Sequence, residues 1–352
     1  MSRYWSDLVS RLTPYVPGEQ PARDGLVKLN TNENPYGPSP RVMEAIAAIT
    51  ADSLRLYPDP ESVALKKAFA DENDLVPEQV FIGNGSDEVL AHAFQGLLKH
   101  DKPLLFPDIS YSFYPVWCDL YGIDYLQVPV AEDFSIDPDA YSADNGGIII
   151  PNPNAPTGML LPLSGIRELL ESNRESVVVI DEAYIDFGGE SATTLIGDHD
   201  NLLVVQTLSK SRALAGLRVG VAMGSAVLIE GLQRIKNSFN SYPLDLLAQR
   251  AALASLGDEN HFRKSCQRVI ASRESLCVQL HGLGFDILPS KANFIFASHT
   301  TRPAKELFTV LRERGIIVRY FDKPRISDYL RITIGTDAEC DALVQALTEI
   351  LA

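Results

Sequence analysis

The sequence is poor in the features that mark metal-binding, disulfide-stabilised and membrane proteins. Only four cysteines occur among 352 residues, and they are scattered without the spacing of a metal site or the density of a disulfide scaffold. No apolar run is long enough to span a membrane, and the first residues lack the apolar segment of a secretory signal. We therefore expect a cytoplasmic protein that holds no metal.

Positive charge is also scarce. The chain has 31 lysines and arginines against 46 acidic residues, a net charge of -15. This balance disfavours nucleic acid or an anionic membrane as the main partner, so any anionic ligand must be held by local arginines. Neither a Gly-x-Gly-x-x-Gly nor a Gly-Lys-Ser/Thr motif occurs in its expected context, which weakens the hypothesis of a phosphate-binding module without covalent chemistry.

The length and composition of the chain predict two domains preceded by an arm. A hydrophobic content of 45% and a charged content of 22% are typical of a soluble globular protein, and 352 residues exceed one ordinary domain. Residues 1–38 mix prolines, glycines and polar residues, and we interpret them as an arm that packs on the active site and the small domain. Residues 39–236 alternate strands with helices, whereas residues 237–352 combine long helices with a few strands. This pattern predicts a large α/β cofactor-binding domain and a smaller α+β domain.

Continuous β-branched runs in residues 80–205 indicate strands that are buried on both faces of a parallel sheet. The runs at 177–180 and 202–205 are two examples. In such sheets ligands bind at the carboxyl ends of the strands. The unusual residues of this chain collect at those ends, which predicts a ligand site there.

One strand end carries Lys210 between two hydroxyl residues and an arginine. A lysine in this position can have its pKa lowered by burial and by a nearby cation, and a neutral amine forms a Schiff base. Arg218, Thr207 and Ser209 would suit a phosphate beside it. Taken alone, Ser-Lys fits a surface loop as well.

Other strand ends carry polar or aromatic residues with two interpretations each. The run Asn84-Gly85-Ser86-Asp87 opens a helix after a strand, so it can cradle a phosphate or serve as an ordinary N-cap. Asp181 ends a strongly apolar strand, where a carboxylate needs a positive partner such as a protonated heterocyclic nitrogen. Tyr184 could donate to the same ring or line a core, and Tyr111 could stack on a ring or belong to an aromatic cluster. The proline-rich loop 151–158 can present amides to a ligand or be a plain loop.

Taken together in chain order, these motifs resemble those of the fold-type I aminotransferases, which use pyridoxal 5′-phosphate. Within that family they resemble the histidinol-phosphate group. The likeness runs from Pro14-Tyr15-Val16-Pro17-Gly18 and Asn32-Glu33-Asn34-Pro35 to Leu330-Arg331-Ile332-Thr333-Ile334-Gly335-Thr336. It implies an α/β fold in which a large domain holds a mostly parallel seven-stranded sheet and a smaller α+β domain follows. It also implies a homodimer with active sites at the subunit interface.

The resemblance implies a role toward the cofactor for each matching residue. Lys210 would hold pyridoxal 5′-phosphate covalently and shuttle the proton. Asp181 would pair with the pyridinium nitrogen, and Tyr184 would contact the ring hydroxyl. The other cofactor-binding residues would be Tyr111, stacked on the ring, and the phosphate ligands Ser86, Asp87, Ser209 and Arg218, joined by Tyr57 of the partner subunit.

The substrate would be held by a second group of residues. Arg331 would bind a carboxylate, Arg319 would face a phosphate, Tyr15 would close the pocket from the arm, and Asn32 would also contact the substrate. One position departs from the family: Ala155 stands where an asparagine usually precedes Pro-Thr-Gly and bonds the ring hydroxyl. Tyr184 alone, Asn154 or a water would then supply that contact.

The implied reaction transfers an amino group from L-histidinol phosphate to 2-oxoglutarate, giving imidazole acetol phosphate and L-glutamate in histidine biosynthesis. An aromatic amino-acid aminotransferase and a threonine-phosphate decarboxylase of the same fold are alternatives. Arg319 argues against a purely aromatic substrate, whereas the decarboxylase is harder to exclude.

Overall fold

The computed structural model describes residues 2–20 and 25–352. The strands in chain order are β1 (Val27–Lys28), β2 (Val80–Asn84), β3 (Leu104–Pro107), β4 (Tyr125–Val128), β5 (Gly147–Pro151), β6 (Val178–Asp181), β7 (Leu202–Thr207), β8 (Val219–Gly224), β9 (Phe285–Ile287), β10 (Phe294–His299), β11 (Ile316–Ile317), β12 (Arg319–Tyr320) and β13 (Tyr329–Thr333). The α-helices are α1 (Asp7–Arg11), α2 (Pro40–Ala47), α3 (Ala51–Leu54), α4 (Val63–Glu72), α5 (Gly85–Gly96), α6 (Tyr114–Tyr121), α7 (Leu163–Ser172), α8 (Ala226–Phe239), α9 (Leu246–Leu256), α10 (Glu259–Gly282), α11 (Ala304–Glu313) and α12 (Asp337–Leu351). Short 3-10 helices lie at Pro77–Gln79, Pro138–Tyr141, Ile185–Phe187, Ala192–Leu195 and Ala215–Leu217.

The large sheet has seven strands in the order β2-β8-β7-β6-β5-β3-β4. Its neighbours are parallel except β8, which runs antiparallel to both β2 and β7. Alternate residues of one strand pack on opposite faces: Val178 and Ile180 join one apolar cluster, and Val179 joins the other. Burial on both faces explains the continuous apolar runs. The prediction of a mostly parallel seven-stranded sheet is confirmed.

The carboxyl ends of three neighbouring parallel strands meet at one edge of this sheet. Pro151 at the end of β5 pairs in register with Asp181 at the end of β6, and Asp181 pairs in turn with Val205 of β7. Two residues beyond Val205, β7 ends at Thr207, three residues before Lys210. The strand order therefore brings the polar residues that follow β6 and β7 to the same place.

Local sequence signals set the starts of helices α2 and α5. The Ser39 hydroxyl accepts from the Arg41 amide at 3.2 Å and Pro40 is the first residue of α2, as the Ser-Pro signal predicts. Helix α5 begins directly after β2 at Gly85, whose φ of +78° is the left-handed region that favours glycine. This turn points the first amides of α5 at the same edge of the sheet.

The second, antiparallel sheet has the order β12-β13-β10-β9. The sequence predicts a single strand over residues 316–321. This prediction is wrong, because the structure divides the segment into β11 and β12. Strand β11 pairs in parallel with β1 of the arm, whereas β12 pairs with β13. Helix α8 passes through residue 236 without a break, and the domain division at that residue stays a prediction.

The arm contributes both a strand and a buried side chain. Strand β1 forms a two-stranded sheet with β11, and the next residue, Leu29, is 1% exposed within the apolar cluster of the small sheet. Helix α1 contains no buried residue. Residues 1 and 21–24 of the predicted arm lie outside the described residues.

Candidate active site

A cavity of about 550 Å³ opens at the carboxyl ends of β5, β6 and β7. Its walls come from the arm, from the large sheet and from the small sheet. Twelve of the predicted site residues line it, namely Tyr15, Asn32, Ser86, Asp87, Tyr111, Asp181, Tyr184, Ser209, Lys210, Arg218, Arg319 and Arg331. Residues that are far apart in the chain therefore meet in one place.

Lys210 lies in the turn after β7, with its amine inside the cavity. Its Nζ donates to the Thr31 carbonyl oxygen at 3.1 Å and lies 5.8 Å from the centre of the Tyr184 ring. Burial lowers the pKa of Lys210 to about 8, and the charge of Arg331 acts in the same direction. An amine with this pKa is partly neutral near pH 7 and can act as a nucleophile or a base.

Asp181 ends β6 with one carboxylate oxygen in use and one free. Its Oδ2 accepts from the Tyr114 hydroxyl at 2.8 Å. Its Oδ1 is buried and has no hydrogen-bond partner within residues 2–20 and 25–352. Burial raises the pKa of Asp181 to about 6, while the bond from Tyr114 opposes that rise. A buried carboxylate with a free oxygen is suited to a cationic N–H donor.

An anion cradle lies on the other side of the cavity, at the start of α5. Arg218, which has a left-handed φ of +50°, lies 2.9 Å from the Asp87 carboxylate and 3.5 Å from the Ser209 hydroxyl. A side chain at Gly220 would collide with the backbone of Gly85 and Ser86. Glycine at that position of β8 therefore allows the first residues of α5 to approach. Amides at a helix start, a hydroxyl and a guanidinium form a phosphate site.

Tyr111 forms part of the wall beside this cradle. Its hydroxyl donates to Asp87 Oδ1 at 3.1 Å, so the Asp87 carboxylate links Tyr111 to Arg218. Tyr15 of the arm packs edge-on against Tyr111, with ring centres 6.3 Å apart, and lies 4.7 Å from Phe113. The arm thus reaches the cavity at an aromatic surface.

Two arginines face each other on the small-sheet side. Arg319 of β12 and Arg331 of β13 are paired in register on antiparallel strands, and like charges placed directly opposite are unfavourable. Arg331 Nη2 donates to the Asn30 carbonyl oxygen at 2.8 Å, whereas its buried Nε has no partner in the described part of the chain. Both guanidinium groups lie 5.5 Å from the Phe321 ring centre. Such a pair is suited to a bound anion.

Two predicted residues lie outside this cavity wall. Asn154 is fully buried, and its Nδ2 donates to the Ile109 carbonyl oxygen at 2.9 Å. The side chain that faces the cavity from this loop is Ala155. Tyr57 is 82% exposed and stacks on Tyr242 with ring centres 4.6 Å apart.

Several residues of the site carry no signal that we recognised in the sequence. Tyr114 is one of them, although it follows Tyr111 by three residues and could have been proposed as its neighbour on one helical face. The Thr31 carbonyl oxygen, which holds Lys210, is a backbone group and leaves no trace in the sequence. Lys323 and Arg325 line the cavity from the loop after β12, and nothing in their spacing pointed there.

The described residues contain neither a candidate metal site nor a candidate membrane-spanning helix. Residues 2–20 and 25–352 hold no cluster of three or more histidine, cysteine or acidic side chains that could bind a metal ion. No helix in these ranges is long and apolar enough to cross a membrane.

Comparison with known proteins identifies relatives along the whole chain. The family model for aminotransferase class I and II matches residues 24–347. A histidinol-phosphate aminotransferase of Aromatoleum aromaticum is 61% identical over 355 residues, which is 100% of both chains. Histidinol-phosphate aminotransferase 1 of Hydrogenovibrio crunogenus is 60% identical over 351 residues, covering 100% of this chain and 99% of that protein.

Solved structures share the fold at lower identity. The histidinol-phosphate aminotransferase of Sinorhizobium meliloti, solved in complex with pyridoxal-5'-phosphate, superposes with a TM-score of 0.88 at 24% identity, over 100% of this chain and 98% of that one. The enzyme of Clostridium acetobutylicum gives a TM-score of 0.86 at 23% identity, over 93% and 99% of the two chains. At these identities the match concerns the fold.

Proposed function

The chain belongs to the class I and II aminotransferases, and we propose that it transfers the amino group of L-histidinol phosphate to 2-oxoglutarate. The products would be imidazole acetol phosphate and L-glutamate, in the biosynthesis of histidine. The observation that carries this proposal is the 61% identity, along the full length of both chains, to a histidinol-phosphate aminotransferase. The site supports it with a partly buried lysine between two places suited to anions.

The cavity fits pyridoxal 5′-phosphate as the cofactor. Asp181 Oδ1, which has no partner among the residues described, is suited to a protonated ring nitrogen, and the cradle formed by Ser86, Ser209 and Arg218 is suited to the phosphate. Lys210 would hold the cofactor covalently, and Tyr111 would lie beside the ring. When bound, this cofactor withdraws electrons from the substrate carbon that carries the amino group.

Lys210 and Asp181 would do the proton chemistry. Released as a neutral amine, Lys210 Nζ would take the proton from the substrate carbon that bears the amino group, and its lowered pKa favours that neutral form. The Asp181 carboxylate would keep a proton on the ring nitrogen, because a buried charge without a partner is unfavourable. The hydroxyl of Tyr184 would donate to the ring oxygen, since Asn154 is turned to Ile109.

Arg319 and Arg331 would recognise the anionic ends of the two substrates. Their in-register positions place two fixed positive charges on one wall. A phosphate dianion, or the two carboxylates of 2-oxoglutarate, would remove the like-charge repulsion between them. Tyr15 would close this end of the cavity from the arm.

We also propose a homodimer that shares its active sites. The support is the position of Tyr57, which is 82% exposed outside its own cavity and stacked on the partly exposed Tyr242. An exposed stacked aromatic pair is typical of an interface. In this arrangement Tyr57 would contact the cofactor phosphate of the partner subunit. The cytoplasmic location expected from the sequence stays a prediction.

A panel of amino donors tests the reaction. The purified protein, loaded with pyridoxal 5′-phosphate, is given 2-oxoglutarate with L-histidinol phosphate, phenylalanine, tyrosine or threonine phosphate, and both glutamate and carbon dioxide are measured. We expect the highest kcat/KM with histidinol phosphate and no carbon dioxide. A higher kcat/KM with phenylalanine, or carbon dioxide from threonine phosphate, would overturn the assigned substrate. The Lys210→Ala variant controls for contaminating activity.

A further inference from the structure

Asn32 occupies a left-handed backbone conformation in which its polar groups are held by three different residues. Its φ is +56°, and it is 1% exposed. Its amide N–H donates to Thr333 Oγ1 at 3.0 Å, and its carbonyl oxygen accepts from Asn293 Nδ2 at 3.0 Å. Its side-chain Nδ2 donates to the Tyr184 hydroxyl oxygen at 3.0 Å. The substrate contact expected of Asn32 stays a prediction, and its side-chain amide is directed at Tyr184.

Thr333 determines which end of the Asn32 amide faces Tyr184. The Thr333 hydroxyl oxygen accepts the backbone N–H of Asn32 and sends its own hydrogen to Asn32 Oδ1 at 2.9 Å. If the amide were flipped, that hydrogen would have no acceptor among the residues that the structure describes. The nitrogen of Asn32 must then point to Tyr184.

This orientation leaves the Tyr184 hydrogen available to the cavity. The Tyr184 oxygen accepts from Asn32, and in the described chain its hydrogen has no acceptor. Burial raises the pKa of Tyr184, so the group stays a protonated donor, while the charge of Arg331 and then the bond from Asn32 oppose that rise and make the O–H more acidic. A more acidic hydroxyl is a better hydrogen-bond donor.

The neighbouring loop offers no alternative donor. Its contribution to the cavity wall is Pro151, Pro153, Ala155 and Pro156, and Asn154 donates to the Ile109 carbonyl oxygen. We infer that Asn32, held by Thr333, is a positioning residue that directs the Tyr184 hydroxyl at the oxygen of the cofactor ring. This inference rests on the proposed use of pyridoxal 5′-phosphate.

The visible absorbance of the cofactor-loaded protein tests the inference without any turnover. This absorbance changes with pH, and the midpoint of the change depends on how well the negative oxygen of the cofactor ring is stabilised. A hydrogen bond donated to that oxygen lowers the midpoint. Asn32→Gly removes the amide and keeps the left-handed backbone accessible. We expect its midpoint to rise by roughly 0.4 to 1 pH unit, the value of one neutral hydrogen bond.

Thr333 provides a matched pair of variants. Thr333→Val loses the hydroxyl and should raise the midpoint in the same direction, whereas Thr333→Ser keeps the hydroxyl and should keep the wild-type midpoint. A change in packing alone would not separate valine from serine in this way. Cofactor content is measured in each variant, so that the midpoints refer to loaded protein.

A double variant distinguishes action through Tyr184 from a general disturbance. Tyr184→Phe should raise the midpoint more than Asn32→Gly does, and adding Asn32→Gly to Tyr184→Phe should cause no further rise. An undiminished rise in the double variant, or wild-type midpoints for both Asn32→Gly and Thr333→Val, would overturn the inference. If the wild-type protein neither binds the cofactor nor transaminates, the proposed function fails instead.

Discussion

The Tyr114 hydroxyl and Asp181 are joined by a buried hydrogen bond of 2.8 Å at the end of β6. The bond occupies one carboxylate oxygen and leaves the other buried without a partner in the described residues. Tyr114 therefore fixes the plane of the carboxylate while Asp181 keeps an acceptor for a cation. Burial, with a smaller contribution from the charge of Asp87, raises the pKa of Asp181, and a protonated ring nitrogen beside it would stabilise the charged form.

Replacing Asp181 with asparagine should nearly abolish transamination. The amide cannot compensate a ring cation, and removing one partner of a buried ion pair costs about 3–5 kcal/mol. If this cost falls on the transition state, kcat should drop by about 10²- to 5 × 10³-fold. Single-turnover rates with histidinol phosphate measure the loss on loaded protein.

Tyr114→Phe is the matched control for Asp181→Asn. It removes only the donated hydrogen bond and keeps the carboxylate, so a loss of about ten- to a hundredfold is expected. If Asp181→Asn retained as much activity as Tyr114→Phe, the assigned partner of the ring nitrogen would be wrong.

Capture of pyridoxal 5′-phosphate by the cofactor-free protein should accelerate as the pH rises through about 8. Only the neutral amine of Lys210 attacks an aldehyde, and burial together with Arg331 lowers its pKa from the ordinary 10.5. The capture rate is followed by absorbance in amine-free buffer from pH 6.5 to 10. Arg331→Gln removes one cause of the lowered pKa, so its midpoint should lie higher. A wild-type midpoint near 10.5 would contradict the burial of this amine.

The sequence could predict the location of the site because the fold concentrates it at strand ends. Parallel strands that are buried on both faces leave uninterrupted apolar runs, and each run here is followed by polar residues that the sheet brings together. Lys210, Asp181 and the start of α5 are local features of this kind. Once the sheet is assumed parallel, all three fall at the same edge of the sheet, although β8 separates β2 from β7.

Contacts between distant segments could not be predicted in the same way. Lys210 bonds a backbone carbonyl 179 residues away, and Tyr114 reaches Asp181 across 67 residues. Neither contact requires a sequence motif that could be recognised at either position. The single strand expected over residues 316–321 divides because its first half pairs with β1, which lies in a stretch of polar residues, prolines and glycines without a strand pattern.

Replacing Arg319 with alanine should raise KM for histidinol phosphate about ten- to a hundredfold, the value of one charged hydrogen bond. Phenylalanine has no phosphate, so its KM should change much less. Steady-state kinetics with both donors at saturating 2-oxoglutarate separate the two effects. Arg302→Ala, which removes an arginine paired with Glu306 on the surface, is the control. Equal losses for both donors would show that Arg319 does not recognise the phosphate.

Tyr57 should serve the active site of the partner subunit, and mixing two inactive variants tests this. Lys210→Ala lacks the essential amine, and Tyr57→Asp puts a negative charge where the cofactor phosphate would bind. After subunit exchange, one site of the mixed dimer combines native Lys210 with native Tyr57 of the other chain. A one-to-one mixture should therefore recover about a quarter of the wild-type activity, because half of the dimers are mixed and each has one intact site.

The control for this experiment pairs Lys210→Ala with Asp181→Asn. Lys210 and Asp181 line the same cavity of one chain, so every site of that mixed dimer keeps one lesion and no activity should return. Native mass spectrometry confirms exchange in both mixtures. If exchange is complete and the Tyr57 mixture also stays inactive, Tyr57 acts within its own chain. Its 82% exposure would then need another explanation, because a phosphate ligand of its own subunit should face the cavity.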